Sequence, residues 1–365
     1  MELAELMTLR PVPGAGLLLT VTGRCPLHCA HCSTAATMAA GEPDARQLVR
    51  FVDSFSAENR PEVLMMTGGE PLLRPDLVTE LADTARAVAT RSVLLTGAYF
   101  AVRDDGGRRV GLPPRIARAI AAVDHFSVSL DAFHEREISR RAVFRLIRGV
   151  QDAGGAVSFH LVGSGPDDPY LADVTSDIRR TFDDRVPMLV NSLRQVGRAA
   201  SWATARAVDP DPWRALPCSM AAWPVVAADG TVLACCNQHV VDRRPSPEHL
   251  TLGHVTRDTW SSVRARALSS PALRMIRTVG PAHLRARFAT APEGAAPPGY
   301  CAGCRTLGDH PEVLDAAASF ASGPLGELLD GQAARAQTEA GPVALVRRHG
   351  CAPYADLVAL PGPPR

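Results

Sequence analysis

The sequence predicts an α/β fold in which strands and helices alternate over the first half of the chain and a second, cysteine-bearing region follows. Three observations carry this. Six short apolar runs, Gly16–Thr22, Glu62–Thr67, Arg91–Thr96, His125–Leu130, Ala156–Val162 and Val186–Asn191, begin 46, 29, 34, 31 and 30 residues apart, close to the ~30 residues of a βα unit. The runs are rich in Val, Leu, Ile and Phe and read as continuous, which suggests strands buried on both faces of a parallel sheet. The nine cysteines of the 365 residues are grouped: Cys25, Cys29 and Cys32, then Cys218, Cys235 and Cys236, then Cys301 and Cys304, with Cys351 alone. Six strands between residues 16 and 205 suit a partial (β/α)6 barrel, and the spacing fits an open doubly wound sheet as well.

The elements follow in order. Pro43–Phe55 places Leu48, Val49, Phe51, Val52 and Phe55 on one helical face. Pro75–Ala89 opens with Pro and Asp, a helix-start pattern. Glu137–Ala153 and Tyr170–Phe182 carry similar apolar stripes, and the polar, Gly-containing stretch Ala98–Gly111 reads as a surface loop. Asp209-Pro-Asp-Pro212 breaks the chain, which sets a boundary near Ser201–Pro212. The expected organisation is an N-terminal segment (1–15), a core (16–205), a second module (206–308) and a C-terminal helical and Pro-rich extension (309–365). In the second module, Ala222–Ala227 and Thr231–Cys235 form a hairpin around Asp229-Gly230. Thr259–Leu268 and Pro271–Thr278 read as helices, Thr290–Tyr300 as an Ala/Pro/Gly-rich loop, and Pro361–Arg365 as a Pro-rich end.

Composition narrows the function classes. Hydrophobic residues are 46% and charged residues 21%, ordinary for a globular protein and unlike a disordered chain or coiled coil. The net charge is +1, so no electrostatic argument points to nucleic acid or a membrane surface. No run approaches the ~18 apolar residues of a membrane span. Leu17–Val21 is too short for a signal peptide's apolar region and lacks its flanks. The expected location is therefore the cytoplasm, where thiols serve as metal ligands or catalytic groups more often than as disulfides.

The first motif is Thr22-Gly-Arg-Cys-Pro-Leu-His-Cys-Ala-His-Cys-Ser33, a C-x3-C-x2-C spacing in the loop after the first strand. Three thiolates on one loop can hold three irons of a cubane cluster and leave the fourth open. Zinc, the competing reading, prefers paired knuckles. The second motif, Thr67-Gly-Gly-Glu-Pro71, follows the second strand. Its glycines permit close approach and unusual backbone angles, and Glu70 offers an acceptor for an ammonium group. Together the two motifs resemble the radical S-adenosylmethionine (SAM) superfamily, over roughly Leu17 to Ala200.

That resemblance implies a partial TIM barrel with a 4Fe–4S cluster on Cys25, Cys29 and Cys32, and SAM chelating the open iron. Gly68, Gly69 and Glu70, followed by Pro71, would receive the methionyl ammonium. In Ser127-Val-Ser-Leu-Asp131, Ser129 would contact the SAM carboxylate or ribose, with Asp131 beside it, and His31 would pack near the adenine. The spacing C-x11-G-x4-C … C-x2-C on Cys218, Gly230, Cys235, Cys301 and Cys304 resembles the twitch form of the SPASM module. It implies an auxiliary 4Fe–4S cluster on Cys218, Cys235, Cys301 and Cys304 beside the barrel mouth. Cys236 is expected on the opposite strand face, with an exchange of roles with Cys235 as the alternative, and Cys351 as a free or buried thiol.

The implied chemistry is reductive cleavage of SAM to a 5′-deoxyadenosyl radical, hydrogen abstraction, and a net oxidation in specialised-metabolite biosynthesis. Its partners would be an external one-electron reductant of flavodoxin or ferredoxin type and a small-molecule or peptide substrate. Past the last strand, Asn191, Arg194 and Arg198 are candidates to bind or deprotonate the substrate, because residues beyond a barrel strand's carboxyl end face the active site. The first strand begins near Gly16 with no leader-binding region ahead of it in this sequence, which favours a small molecule or a separately escorted peptide. Maturation of a ribosomal peptide and non-catalytic electron transfer are the alternatives.

Overall fold

Strand and helix alternate as the spacing predicts, after one short helix that it did not. A computed structural model describes residues 1–102, 112–204, 214–290 and 299–361. Parts of the expected loops at 98–111 and 290–300, the Asp-Pro break and the final Pro-rich end lie outside these residues. The order is α1 (Leu3–Leu9), β1 (Gly16–Thr22), α2 (Ala45–Asp53), β2 (Val63–Gly68), α3 (Pro75–Ala87), β3 (Arg91–Thr96), α4 (Pro114–Ala122), β4 (His125–Ser129), α5 (Arg140–Asp152), β5 (Val157–Gly163), α6 (Pro169–Thr181) and β6 (Met188–Ser192). Asp44, Ser139 and Asp168 cap their helices by accepting backbone N–H groups with their side chains.

The winding decides between the two fold classes. The strands lie in the order β6-β5-β4-β3-β2-β1, every neighbouring pair parallel. A doubly wound sheet reverses direction at a switch point. Here the winding never reverses, so right-handed crossovers put α2–α6 on one face and leave the other face to curl around an interior. This is the partial barrel. Leu17, Leu19, Leu64, Met66, Leu94, Phe126, Val128, Phe159 and Leu161 are buried under the helices.

The inner face corrects one expectation. Strands β4 and β5 are not apolar on both faces. Their cross-strand partners Ser127 and Ser158, and Ser129 and His160, alternate with Phe126, Val128, Phe159 and Leu161. His125 sits deepest in this row, with Nδ1 2.8 Å from the Met1 carbonyl and Nε2 2.7 Å from Ser158 Oγ, which donates to Ser127 Oγ at 3.1 Å. The period is two, the signature of strands with chemically different faces. Burial excludes charge on His125 and lowers its pKa to about 4.

The floor of the barrel is apolar. Leu3 and Leu6 of α1 pack with Val63, Val93, Trp223, Val346, Ala355 and Val358. The Trp223 ring lies against Gly16, where a Cβ would fall 2.2 Å from it, and its Nε1 donates to the Leu9 carbonyl at 3.1 Å.

The expected hairpin is present but shorter: β7 (Val225–Val226) and β8 (Thr231–Leu233), with Gly230 at φ +86° in the turn. It is not a separate layer. Strand β7 pairs in parallel with β1, and β8 and β9 (Thr251–His254) continue the same nine-stranded sheet antiparallel. Leu233 is level with Val225, which pairs with Leu18, so the chain leaves the hairpin toward the amino end of β1. Helices at Gln238–Val241, Trp260–Ser269, Pro271–Thr278, Pro281–Phe288, Tyr300–Arg305, Pro311–Ala321 and Gly323–His349 follow among the described residues, the last kinked at Gly341. No helix among the described residues is long and apolar enough to cross a membrane.

Candidate active site

The three cysteines of the first motif hang on an irregular loop between β1 and α2. Cys25 and Cys29 are buried and Cys32 is half-buried. The Gly-Gly-Glu-Pro turn packs directly on this loop. Gly69 N donates to the Thr22 carbonyl and Glu70 N to the Arg24 carbonyl, both at 2.7 Å. A Cβ at Gly68 would lie 2.3 Å from the Thr22 oxygen, and one at Gly69 2.1 Å from the Arg24 oxygen. The close approach that needs glycine is thus between two protein loops, which explains physically why the two motifs occur together.

All three thiols line a cavity of about 1120 Å3 inside the barrel. The second thiol group lines the same cavity from another direction: Cys218, Cys235, Cys236, Cys301 and Cys304. Cys218 precedes β7, Cys235 follows β8, and Cys301 and Cys304 sit on a helix at Tyr300–Arg305. The sheet register brings the hairpin thiols in from the amino end of β1, whereas Cys25 follows its carboxyl end. A seven-residue strand rises roughly 20 Å at ~3.3 Å per residue. The second group is therefore displaced toward the barrel floor rather than placed beside the mouth, as the sequence suggested.

The thiols of each group lie near enough to influence one another's charge. Burial pushes the Cys25 thiol up to about 12, with Glu70, Cys32 and Cys29 adding to the shift. Burial likewise raises Cys218, Cys235 and Cys304, each further raised by neighbouring thiols of the group. Thiols so arranged require a cationic centre to ionise together. Cys218 is steadied by the backbone N–H groups of Ala221 and Met220, and Asn237 N donates to Cys235 Sγ at 3.3 Å. Cys236 does not point away as expected. It faces the same group, 3.7 Å from Arg10 Nη2.

The sequence matches the Radical SAM superfamily model over residues 19–178. Residues 19–178, a little under half of the chain, are therefore similar to the radical SAM superfamily. Over parts of its length it is similar to a GTP 3',8-cyclase of Synechococcus sp. (strain CC9605), 30% identical over 189 residues, 50% of this chain and 54% of that protein. It is also similar to a PqqA peptide cyclase of Streptomyces rochei, 35% identical over 120 residues, 32% of this chain and 29% of that protein. Among solved structures it is similar to Streptococcus suis SuiB bound to S-adenosylmethionine, with TM-score 0.49 and 12% identity over 69% of this chain and 65% of that one. The chain spans about a third to a half of the length of the curated relatives it matches.

The superfamily's cofactors are a 4Fe–4S cluster and SAM, and the residues around Cys25, Cys29 and Cys32 fit both. Gly68, Gly69 and Ser129 line the cavity beside the thiols. His31 stacks on Phe133 with centroids 4.6 Å apart, and its Nε2 lies 3.2 Å from Asp131 Oδ2. Its Nδ1 is buried with no partner among the described residues, an acceptor suited to the amino edge of an adenine. Two expectations change here. The Glu70 carboxylate is fully buried and already accepts Leu72 N at 3.0 Å, Gly97 N at 2.9 Å and Thr96 Oγ1 at 2.8 Å. These bonds tie its carboxylate to the ends of β2 and β3, and burial raises its pKa. Pro71 opens the buried 3-10 turn that Glu70 caps. Asp131, likewise, is turned to protein: it accepts the N–H groups of Phe133 and His134, and His134 Nδ1 donates to it at 2.8 Å. Burial would raise its carboxyl, but the His134 and His31 imidazoles hold it well below the usual carboxylate range.

The residues past β6 divide. Asn191 faces the cavity, its Nδ2 2.8 Å from Nε2 of His160. Burial lowers the His160 pKa to about 4, so the ring is neutral. Arg194 lines the cavity and donates to the His349 carbonyl at 3.1 Å. Arg198 is committed to the cluster loop and is not a free base or substrate ligand. Its Nε, Nη1 and Nη2 donate to the carbonyls of Cys29, Ala36 and Leu27 at 2.9, 2.7 and 3.5 Å. His134, His160, Tyr300 and His349 line the cavity and were not singled out from the sequence. The alternation in His125-Phe-Ser-Val-Ser129 and Val157-Ser-Phe-His-Leu161 was the signal available for His160.

Proposed function

We propose that this chain is a radical SAM oxidoreductase that removes a hydrogen atom from a substrate held in the barrel and completes a net oxidation in specialised-metabolite biosynthesis. One observation carries the reading: two thiol groups, one from a single loop and one from distant segments, line one cavity of about 1120 Å3. Cys25, Cys29 and Cys32 would hold the SAM-binding 4Fe–4S cluster, and Cys218, Cys235, Cys301 and Cys304 an auxiliary one. When loaded, the first cluster and SAM would supply a 5′-deoxyadenosyl radical that takes the hydrogen, and the second cluster an acceptor for the electron left behind.

The chain's own residues do the rest. Gly68 and Gly69 bring the second loop onto the first and so fix the SAM pocket's wall. Glu70 ties the ends of β2 and β3 through Thr96 and Gly97. His31, oriented by Asp131 and stacked on Phe133, offers its free Nδ1 to the adenine. Asn191 and His160 present a neutral polar pair to the cavity that both thiol groups line, where the substrate would lie. The cavity would hold the reacting C–H bond in place beside the cofactor. Arg194 lines the cavity with guanidinium donors beyond the one given to the His349 carbonyl, which suits a substrate with an anionic or carbonyl-rich end.

Maturation of a ribosomal peptide is the second reading, favoured by the likeness to the PqqA peptide cyclase. The test is anaerobic reconstitution with iron and sulfide, then incubation with SAM and dithionite and measurement of 5′-deoxyadenosine. Deuterium transfer from labelled small molecules or labelled peptides separates the two readings. Reconstituted protein that forms no 5′-deoxyadenosine overturns both.

A further inference from the structure

The loop that carries Cys25, Cys29 and Cys32 has little regular structure of its own, and a segment 160 residues later is folded over it. Five donors of that segment reach five loop carbonyls. Arg198 N donates to Cys32 O at 3.0 Å. The Arg198 guanidinium donates to Cys29 O at 2.9 Å, Ala36 O at 2.7 Å and Leu27 O at 3.5 Å. Trp202 Nε1 donates to Ala30 O at 3.1 Å. The contact is close enough that Gly197, at φ +56°, has no room for a Cβ, which would sit 2.3 Å from the oxygens of Cys32 and Ser33.

We propose that Arg198 is the positioning residue of the first cluster site, a clamp that holds the cysteine loop in its ligating shape and sets the reduction potential of what the loop binds. The inference rests on the reading of Cys25, Cys29 and Cys32 as cluster ligands. The planar guanidinium spreads three donors over three carbonyls, which a lysine's single ammonium cannot reproduce. Clamping the loop before iron arrives lowers the ordering cost of assembling three thiols. A thiolate-ligated cluster gains negative charge on reduction, and a fixed positive charge beside its loop favours the reduced form. Arg198 therefore acts through the loop and its charge, without touching substrate.

The test uses the full chain with Arg198→Gln and Arg198→Lys. In the metal-free proteins, hydrogen exchange of the amides at 25–36 is expected to rise at least tenfold in Arg198→Gln, with the barrel strands unchanged. After reconstitution, the EPR signal that responds to added SAM is expected to titrate at a more negative midpoint in Arg198→Gln. In Arg198→Lys it should stay near the wild-type midpoint while loop exchange remains raised. Unchanged exchange together with an unchanged midpoint in Arg198→Gln overturns the proposal. Should Arg198→Gln fail to fold, Arg198→Lys alone decides: normal loop exchange in it overturns the clamp. A wild-type protein that forms no SAM-responsive cluster would instead count against the functional reading, while the exchange measurement on metal-free protein still decides the clamp.

Discussion

The two thiol groups are built in opposite ways. Cys25, Cys29 and Cys32 lie within eight residues on one loop, held from outside by the Gly68–Glu70 turn and by Arg198. Cys218, Cys235, Cys301 and Cys304 come from three segments that meet only when β7 joins the sheet beside β1 and the helix at Tyr300–Arg305 packs against them. A local site can be emptied while the barrel stands, because its ligands do not hold distant segments together. An assembled site would double as a crosslink, and a metal bound there would contribute to the fold of its region. The same cavity thus joins a site that depends on the fold with a site on which part of the fold would depend.

The largest expected effect comes from the local site. Changing Cys25, Cys29 and Cys32 together to Ala should abolish 5′-deoxyadenosine formation and leave about four irons per chain, with the melting temperature of the metal-free protein near wild type. Residual SAM cleavage would refute the assignment. The assembled site should respond the other way round. Cys301→Ala with Cys304→Ala should keep SAM cleavage, stop substrate oxidation and remove about four irons, and the reconstituted variant should melt lower than the reconstituted triple variant. If it melts higher, the crosslinking role is wrong.

A smaller effect is expected at the joint between the two motifs. Glu70→Gln turns one accepting oxygen into a donor facing Leu72 N, Gly97 N or Thr96 Oγ1, which should cost about 1–3 kcal/mol in denaturant unfolding. SAM affinity should fall only as a consequence of the shifted loop. Wild-type stability with lost SAM binding would instead restore the direct ammonium contact that the sequence alone suggested.

The smallest effect is the pH dependence of the metal-free barrel. His125 and His160 have pKa values lowered by burial to about 4, against an ordinary value of 6.5. The folded state holds them neutral, so this stability is fully present above about pH 6.5 and is lost as pH falls toward 4. Metal-free protein should therefore unfold at lower urea at pH 5 than at pH 7.5, and His160→Asn should flatten that slope. An equal slope in the variant would show that the imidazole is not excluded from charge by the barrel interior.

The difference between the sites also marks what was legible in the sequence. The first group was readable because its three ligands are separated by two and three residues and its partner turn ends the next strand. The second was readable as a spacing, but its place was not: Cys235 follows a hairpin whose pairing with β1 is a long-range choice, and only the register Leu18 to Val225 carries it toward the barrel floor. Of the two readings of Cys236, the one that extended strand alternation to it fails because β8 ends at Leu233. Strand bounds came through well, with Gly16–Thr22 and Arg91–Thr96 as read, because the βα spacing and apolar runs are local signals. The polar inner faces of β4 and β5 were missed because the apolar residues of the outer face dominated the composition of each run. Glu70 and Arg198 share a limit of sequence reading: a charged residue near a motif looks available, and only the structure shows which protein groups its side chain already bonds.

The central claim is that one cavity is served by two independent clusters. Iron and acid-labile sulfide should be counted, with Mössbauer spectra, in the wild type, the Cys25/Cys29/Cys32 triple variant and the Cys301/Cys304 double variant after identical anaerobic reconstitution. The expected result is about eight irons in the wild type and about four in each variant, all as 4Fe–4S centres. A wild type with about four irons, or a double variant whose iron equals the wild type's, would contradict it.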